Sequence, residues 1–107
     1  MSTIESKHKK SLNNSWVLYI LLCKDGSLYT GITNSIDLRI KAHQAGTAAR
    51  YTRGRLPVRL VYVEQCINRS DASKREWEVK KLSKRQKLEL IKKGGKTPLY
   101  PIRARND

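Results

Sequence analysis

The chain has 107 residues, carries 23 Lys and Arg against 9 Asp and Glu, and has a formal charge of +14. That length suits one compact domain, and no apolar run approaches the roughly 18–20 residues that a membrane span requires. So one-sided a charge resists compaction unless a polyanion neutralises it, which makes nucleic acid the expected partner and leaves a basic, ribosome-type protein as the plain alternative.

Residues 1–14 are polar, with Lys7, His8, Lys9 and Lys10 clustered, and read as a flexible basic arm without the apolar segment of a signal peptide. The folded unit is expected over residues 15–95. Its first element is a strand through the nearly unbroken apolar run Trp16–Cys23, and Asp25-Gly26 then signals a hairpin returning along Leu28–Thr33. A two-residue loop would put Tyr19 and Tyr29 on opposite faces. A three-residue loop, with Gly26 in the left-handed position of a G1 bulge, segregates the strands better. It places Leu18, Ile20, Leu22, Leu28, Thr30 and Ile32 on one face and Val17, Tyr19, Leu21, Tyr29, Gly31 and Thr33 on the other, and is the register adopted. Gly31 is expected to leave open surface beside both phenol rings.

Asn34 or Ser35 is placed to cap a helix from Ile36 to about Ala45, ended by Gly46. Arg39 and His43, four residues apart, project from one side of it. Residues 47–59 read as a partly irregular connection, and Leu60–Cys66 as a third strand. Ser70 or Ser73 is expected to start a helix reaching about Leu82. Ser83 and Gln86 form a capping box for a last helix through Lys93, closed by Gly94-Gly95. Pro98 and Pro101 make residues 96–107 an extended tail. Cys23 and Cys66 lack metal-ligand spacing and lie in apolar runs, which fits buried thiols in a reducing, cytoplasmic setting.

Five side chains carry candidate chemistry. Cutting a phosphodiester requires stabilised phosphoryl oxygens, an oriented water and help for the leaving oxygen. Arg39 offers a guanidinium fork to phosphate, although a lone helix-surface arginine is more often an ordinary ion-pair partner. His43 suits proton transfer near neutral pH, or equally a half-buried helix-end histidine. Tyr19 and Tyr29 can orient water or accept a proton, but a phenol is a poor base unless a cation, here Arg39, perturbs it. Glu76 shares a helical stripe with Ala72 and Val79; it is either a carboxylate awaiting Mg2+ or Mn2+, or the partner of Ser73 in a capping box. Arg50, Arg53, Arg55, Lys80 and Lys84 supply positive surface for a nucleic-acid backbone.

The ordered set Leu18-Tyr19-Ile20, Tyr29-Thr30-Gly31, Arg39, His43 and Glu76 resembles the signature of GIY-YIG nucleases, over about Trp16–Gly94. Brevity and arrangement are similar to the small, stand-alone bacterial members. The resemblance implies an α+β fold, a small three-stranded, largely antiparallel sheet (a β-hairpin plus one strand) flanked by about three helices. It also implies DNA phosphodiester hydrolysis with one divalent metal. Glu76 would be the metal ligand, Arg39 the phosphate-stabilising cation, and Tyr29 or Tyr19 the group that handles water, assisted by His43. Ile32 stands where some members carry a lysine, and the last helix lacks the asparagine that several place there. The expected function is a nuclease of low sequence specificity in DNA repair or processing, with DNA, or alternatively RNA, as partner. The competing expectation is a basic nucleic-acid-binding protein that keeps the fold without turnover. A third reading docks the tail, through Tyr100, on a larger protein.

Overall fold

The computed structural model describes residues 15–94, so the basic arm expected over 1–14 and the tail expected over 96–107 lie outside the described residues. Strand β1 (Val17–Leu22) is central, flanked by β2 (Leu28–Thr33) and β3 (Arg59–Gln65), and both pairings are antiparallel. Among the described residues four helices accompany the sheet: α1 (Ile36–Gln44), the single-turn α2 (Arg50–Arg53), α3 (Arg69–Lys80) and α4 (Lys84–Lys93). This is the expected α+β architecture, with one additional turn of helix inside the connection read as partly irregular. No helix among the described residues is long and apolar enough to cross a membrane.

The hairpin adopts the three-residue loop. Gly26 has φ +87°, its N–H donates to the Cys23 carbonyl, and Cys23 N–H donates to the Ser27 carbonyl. Pairing therefore runs Val17 with Thr33, Tyr19 with Gly31 and Leu21 with Tyr29, which puts both tyrosines on one face. The β1–β3 register slips by one residue between Ile20 and Leu21, leaving Val61 without a partner on β1. That bulge changes the phase of β3, so that Leu60 and Val63 join the tyrosine face whereas Tyr62 joins the opposite one.

Each face of the sheet carries its own core. Val17, Tyr19, Leu21, Cys23, Leu60 and Val63 pack with Ile36 of α1 and Val58. On the other face Leu18, Ile20, Tyr62 and Cys66 pack with Ala72 and Val79 of α3, and with Leu82, Leu90 and Ile91 beyond. A bidentate contact locks α3 to β3: Arg75 Nε donates to Glu64 Oε2 at 2.7 Å and a terminal nitrogen to Oε1 at 3.1 Å, while Tyr62 Oη donates to Oε1 at 2.6 Å. Both cysteines are free and buried, and burial pushes the Cys66 thiol up to about 11.

Two helix starts differ from expectation. Neither Ser70 nor Ser73 caps α3; Asn68 does, its Oδ1 accepting from Asp71 N–H at 2.8 Å while Asp71 accepts from Ile67 N–H at 2.9 Å. The earlier start buries Ala72 and leaves Ser73 in the helix interior, so the Ser73–Glu76 capping box does not form. At α1, Ser35 occupies the cap position without a side-chain cap bond, and Thr33 Oγ1 accepts its N–H at 3.0 Å. At α4 the capping box of Ser83 and Gln86 is complete.

Candidate active site

Tyr19 and Tyr29 project from adjacent strands with ring centroids 6.4 Å apart. His43, one turn along α1 from Arg39, completes the aromatic group at 5.8 Å from the Tyr19 ring and 5.2 Å from that of Tyr29. Tyr19 Oη and His43 Nε2 are hydrogen-bonded at 2.8 Å, and His43 Nδ1 meets Thr52 Oγ1 at 2.8 Å on its other side. The first two of these side chains are almost completely enclosed, Tyr19 being 2% and His43 1% exposed. Tyr29 is only half-buried, and it lines an open groove of about 250 Å³ together with Leu28, Thr30, Tyr51, Lys80 and Lys87.

Gly31 does not leave open surface beside the rings. A Cβ there would stand 2.6 Å from Tyr19 Oη and 2.7 Å from its Cζ, so the phenol itself occupies that space. The absent side chain lets the ring lie across β2 toward the free edge of the sheet. This edge is where the two faces meet. Arg39 comes from α1 on the tyrosine face, whereas Glu76 comes from α3, which packs on β2 and β1 from the opposite face. Both act on the same phenol. Burial first and the Tyr29 phenol next hold the Tyr19 hydroxyl above its ordinary range; Arg39 opposes them and the Glu76 carboxylate adds to them. The expectation that Arg39 would make a tyrosine acidic is therefore not met at Tyr19, because desolvation outweighs the cation. His43 is pulled down from its usual value, by burial and then by Arg39.

Arg39 is exposed and makes no salt bridge among the described residues. Glu76 is three-quarters covered, with 25% of its side chain exposed, and Lys80 Nζ sits 3.1 Å from its Oε2. The carboxylate thus has a cation, as its partial burial requires, but one supplied by its own helix.

A family model described as the GIY-YIG catalytic domain matches residues 15–89. The chain belongs to the GIY-YIG nuclease family. Among its relatives, the UPF0213 protein CPE1444 of Clostridium perfringens is 58% identical over 74 residues, covering 69% of this chain and 80% of the relative. The UPF0213 protein DP2720 of Desulfotalea psychrophila is 53% identical over 79 residues, covering 73% and 72%. The solution NMR structure of the UPF0213 protein BH0048 from Bacillus halodurans shares 49% identity, covers 73% of this chain and 83% of its own, and superposes with a TM-score of 0.48.

Membership in a nuclease family makes nucleic acid the substrate class, and the remaining cations can be sorted on that basis. Arg50, Arg53 and Lys84 are exposed and without salt bridges among the described residues. Arg55 is engaged instead: its Nε donates to Asp25 at 2.9 Å, a terminal nitrogen donates to the Tyr51 carbonyl at 2.8 Å, and its guanidinium lies 3.9 Å from the Tyr51 ring centroid. Tyr51 in turn stacks on Tyr29, centroids 6.0 Å apart. Neither Tyr51 nor Thr52 was picked out in the sequence. They follow His43 by eight and nine residues in a glycine- and arginine-rich stretch, where no periodicity marks them.

The described residues contain no group of three His, Cys, Asp or Glu side chains able to enclose a metal. One partly covered carboxylate with oxygen-bearing phenols nearby still fits a magnesium-type ion, which keeps most of its waters and takes one or two carboxylates plus substrate phosphate. The Lys80 ammonium at Glu76 marks the place of positive charge.

Proposed function

We propose that this protein is a metal-dependent DNA endonuclease of low sequence specificity that acts in DNA repair or processing. The observation that carries this reading is the Tyr19–His43 hydrogen bond at 2.8 Å, with Arg39 and Glu76 both acting on the same phenol from opposite sides of the sheet. In this reading the catalytic unit spans residues 15–95, DNA is the partner, and the two free, buried thiols suit the cytoplasm.

The residues divide the work as follows. Arg39, exposed and unpaired within the described residues, binds the scissile phosphate and stabilises charge building on its oxygens. Glu76 holds the magnesium or manganese ion, which when bound supplies Lewis acidity to the phosphoryl and leaving oxygens. Tyr29 is the phenol that faces the groove, so it orients the attacking water. Tyr19 and His43 act as a pair: a proton received at Tyr19 Oη is matched by release of the phenol's own proton to His43 Nε2. The product is an imidazolium, and the phenolate that burial disfavours never forms.

A second reading has support in the Lys80–Glu76 ion pair. If that ammonium stays in place, the carboxylate is not free for a metal, and the protein binds nucleic acid without cutting it. Cleavage of single-stranded, duplex, nicked and branched DNA, with magnesium, manganese or chelator, separates the two. The nuclease reading expects metal-dependent products that Glu76→Gln and Arg39→Ala each abolish while DNA binding persists. Wild-type rates in both variants would remove the assignment, and no cleavage under any condition would leave the binder.

A further inference from the structure

The hydrogen-bond chain through His43 can run in either direction, and a contact with the backbone favours one of them. Thr52 Oγ1 donates to the Ala49 carbonyl at 3.2 Å, and a carbonyl can only accept. With its one proton on that carbonyl, Thr52 Oγ1 acts toward His43 as an acceptor, and Nδ1 carries the hydrogen of the 2.8 Å contact. A neutral imidazole carries one N–H, so Nε2 presents a lone pair, which can only receive the proton of Tyr19 Oη. Read from its fixed end, the chain runs Ala49 carbonyl, Thr52 hydroxyl, His43 imidazole, Tyr19 phenol. Every proton in it points away from the phenol.

We propose that Thr52 is the positioning residue of the proton-accepting pair: it holds His43 as the Nδ1–H tautomer and so keeps Nε2 open to the Tyr19 proton. The proposal rests on the nuclease reading above for its functional consequence, but the tautomer itself does not depend on that reading. Among the described residues the Thr52 hydroxyl bonds to His43 and the Ala49 carbonyl, and not to Tyr19 or to a residue assigned to the phosphate or the metal, so it acts through His43. The surrounding structure ties its segment down at several points. Thr52 is completely buried in the single-turn α2. The segment after α2 is tied to the hairpin turn, where Lys24 N–H donates to the Arg55 carbonyl at 2.9 Å and Arg55 pairs with Asp25. Further on, Val58 is clamped by Gln44 at the end of α1: Gln44 Nε2 donates to the Val58 carbonyl at 2.6 Å and Val58 N–H donates to Oε1 at 3.2 Å. These ties fix the distance between α1, which carries His43, and α2, which carries Thr52. An imidazole of the other tautomer would set an N–H against the Tyr19 hydroxyl, and its lone pair would face Thr52, out of reach of the phenol's proton.

Long-range nitrogen–proton NMR of uniformly 15N-labelled full-length protein, read at the His43 ring near pH 7.5, tests the proposal alongside cleavage of the best DNA substrate. Wild type should show a protonated Nδ1 and an unprotonated Nε2. Thr52→Val, close in shape but lacking the hydroxyl, should shift the ring toward the Nε2–H form and lower kcat by about 10–100-fold, with KM little changed. Thr52→Ser should restore both the tautomer and the rate. A wild-type ring already in the Nε2–H form overturns the proposal without any variant. So does a Thr52→Val protein that keeps the Nδ1–H form, or that cuts at the wild-type rate. Wild-type protein that cuts no DNA would count against the nuclease reading, and the ring spectrum would still decide the role of Thr52.

Discussion

His43 is enclosed on all sides by Tyr19, Tyr29 and Thr52 and lies in the field of Arg39. Burial and the guanidinium both disfavour its charged form and lower its proton affinity below the ordinary imidazole value of about 6.5. The sign of the consequence follows directly. Above pH 6.5 the imidazole is neutral in both folded and unfolded chains and costs nothing; below it the unfolded chain takes up the proton first, so stability falls as pH drops toward the folded-state value. Thermal midpoints measured from pH 8 to 5 should therefore decline on the acid side, and more steeply in wild type than in His43→Gln. Parallel curves would show that another group controls the acid limb. Asp25 is not that group, because Ser27 and Arg55 hold its carboxyl below 3.8 and its effect belongs to a more acid window. Glu76 offers a contrast at the same scale. Its pair with Lys80 is a partly exposed contact one turn apart, worth about 0.3–0.5 kcal/mol. Glu76→Gln should accordingly leave the thermal midpoint almost unmoved while removing cleavage, whereas loss of both together would recast Glu76 as a structural residue.

At the level of elements, the site depends on β2 being an edge strand with a glycine opposite Tyr19. Gly31→Ala would force a methyl group to within 2.6 Å of the Tyr19 hydroxyl and 2.7 Å of its Cζ, so the buried ring itself would have to move. Overpacking of this kind costs about 1–3 kcal/mol. Because the colliding atom is the hydroxyl bonded to His43, the variant should also lose the Tyr19–His43 link and its cleavage. A crystal or NMR structure of Gly31→Ala with that link intact would refute the argument. The register that creates this opposition was legible in the sequence, since Gly26 is the residue that a three-residue hairpin loop needs at positive φ, and the alternation of Leu, Ile and Tyr selects among registers. The stripe of Ala72, Glu76 and Val79 was legible for the same reason, a helical period with one acid in it. Two things were not. The space over Gly31 was expected to be open because a strand pattern says which face a ring takes but not how far it leans along the sheet. Thr52 escaped notice because its importance comes from a single turn of helix held in place by Arg55–Asp25 and Gln44–Val58 contacts, and tertiary ties between polar residues leave no periodic trace.

Across the whole molecule, positive charge far exceeds what the fold itself neutralises. The salt bridges among the described residues involve Arg55, Arg75 and Lys80, while Arg50, Arg53 and Lys84 stand exposed without one. A chain of net charge +14 that meets a polyanion should bind with an affinity set largely by counterion release. The groove beside Tyr29 suggests where one such phosphate contact falls: Lys80 and Lys87 approach it from α3 and α4, so a strand whose scissile phosphate sits at Arg39 would run on past Tyr29 between them. On duplex DNA each phosphate contact contributes a slope of roughly −0.9 to log K against log salt. Lys87→Ala should therefore flatten that slope by about 0.9 while leaving kcat at saturating DNA unchanged, because Lys87 belongs to the path and touches none of the reacting groups. Glu76→Gln provides the internal comparison. Releasing Lys80 from its carboxylate should hold or steepen the slope even as cleavage disappears. If Lys87→Ala left the slope intact, or lowered kcat at saturation, the strand would have to leave Arg39 in another direction, over the exposed guanidinium groups of α2.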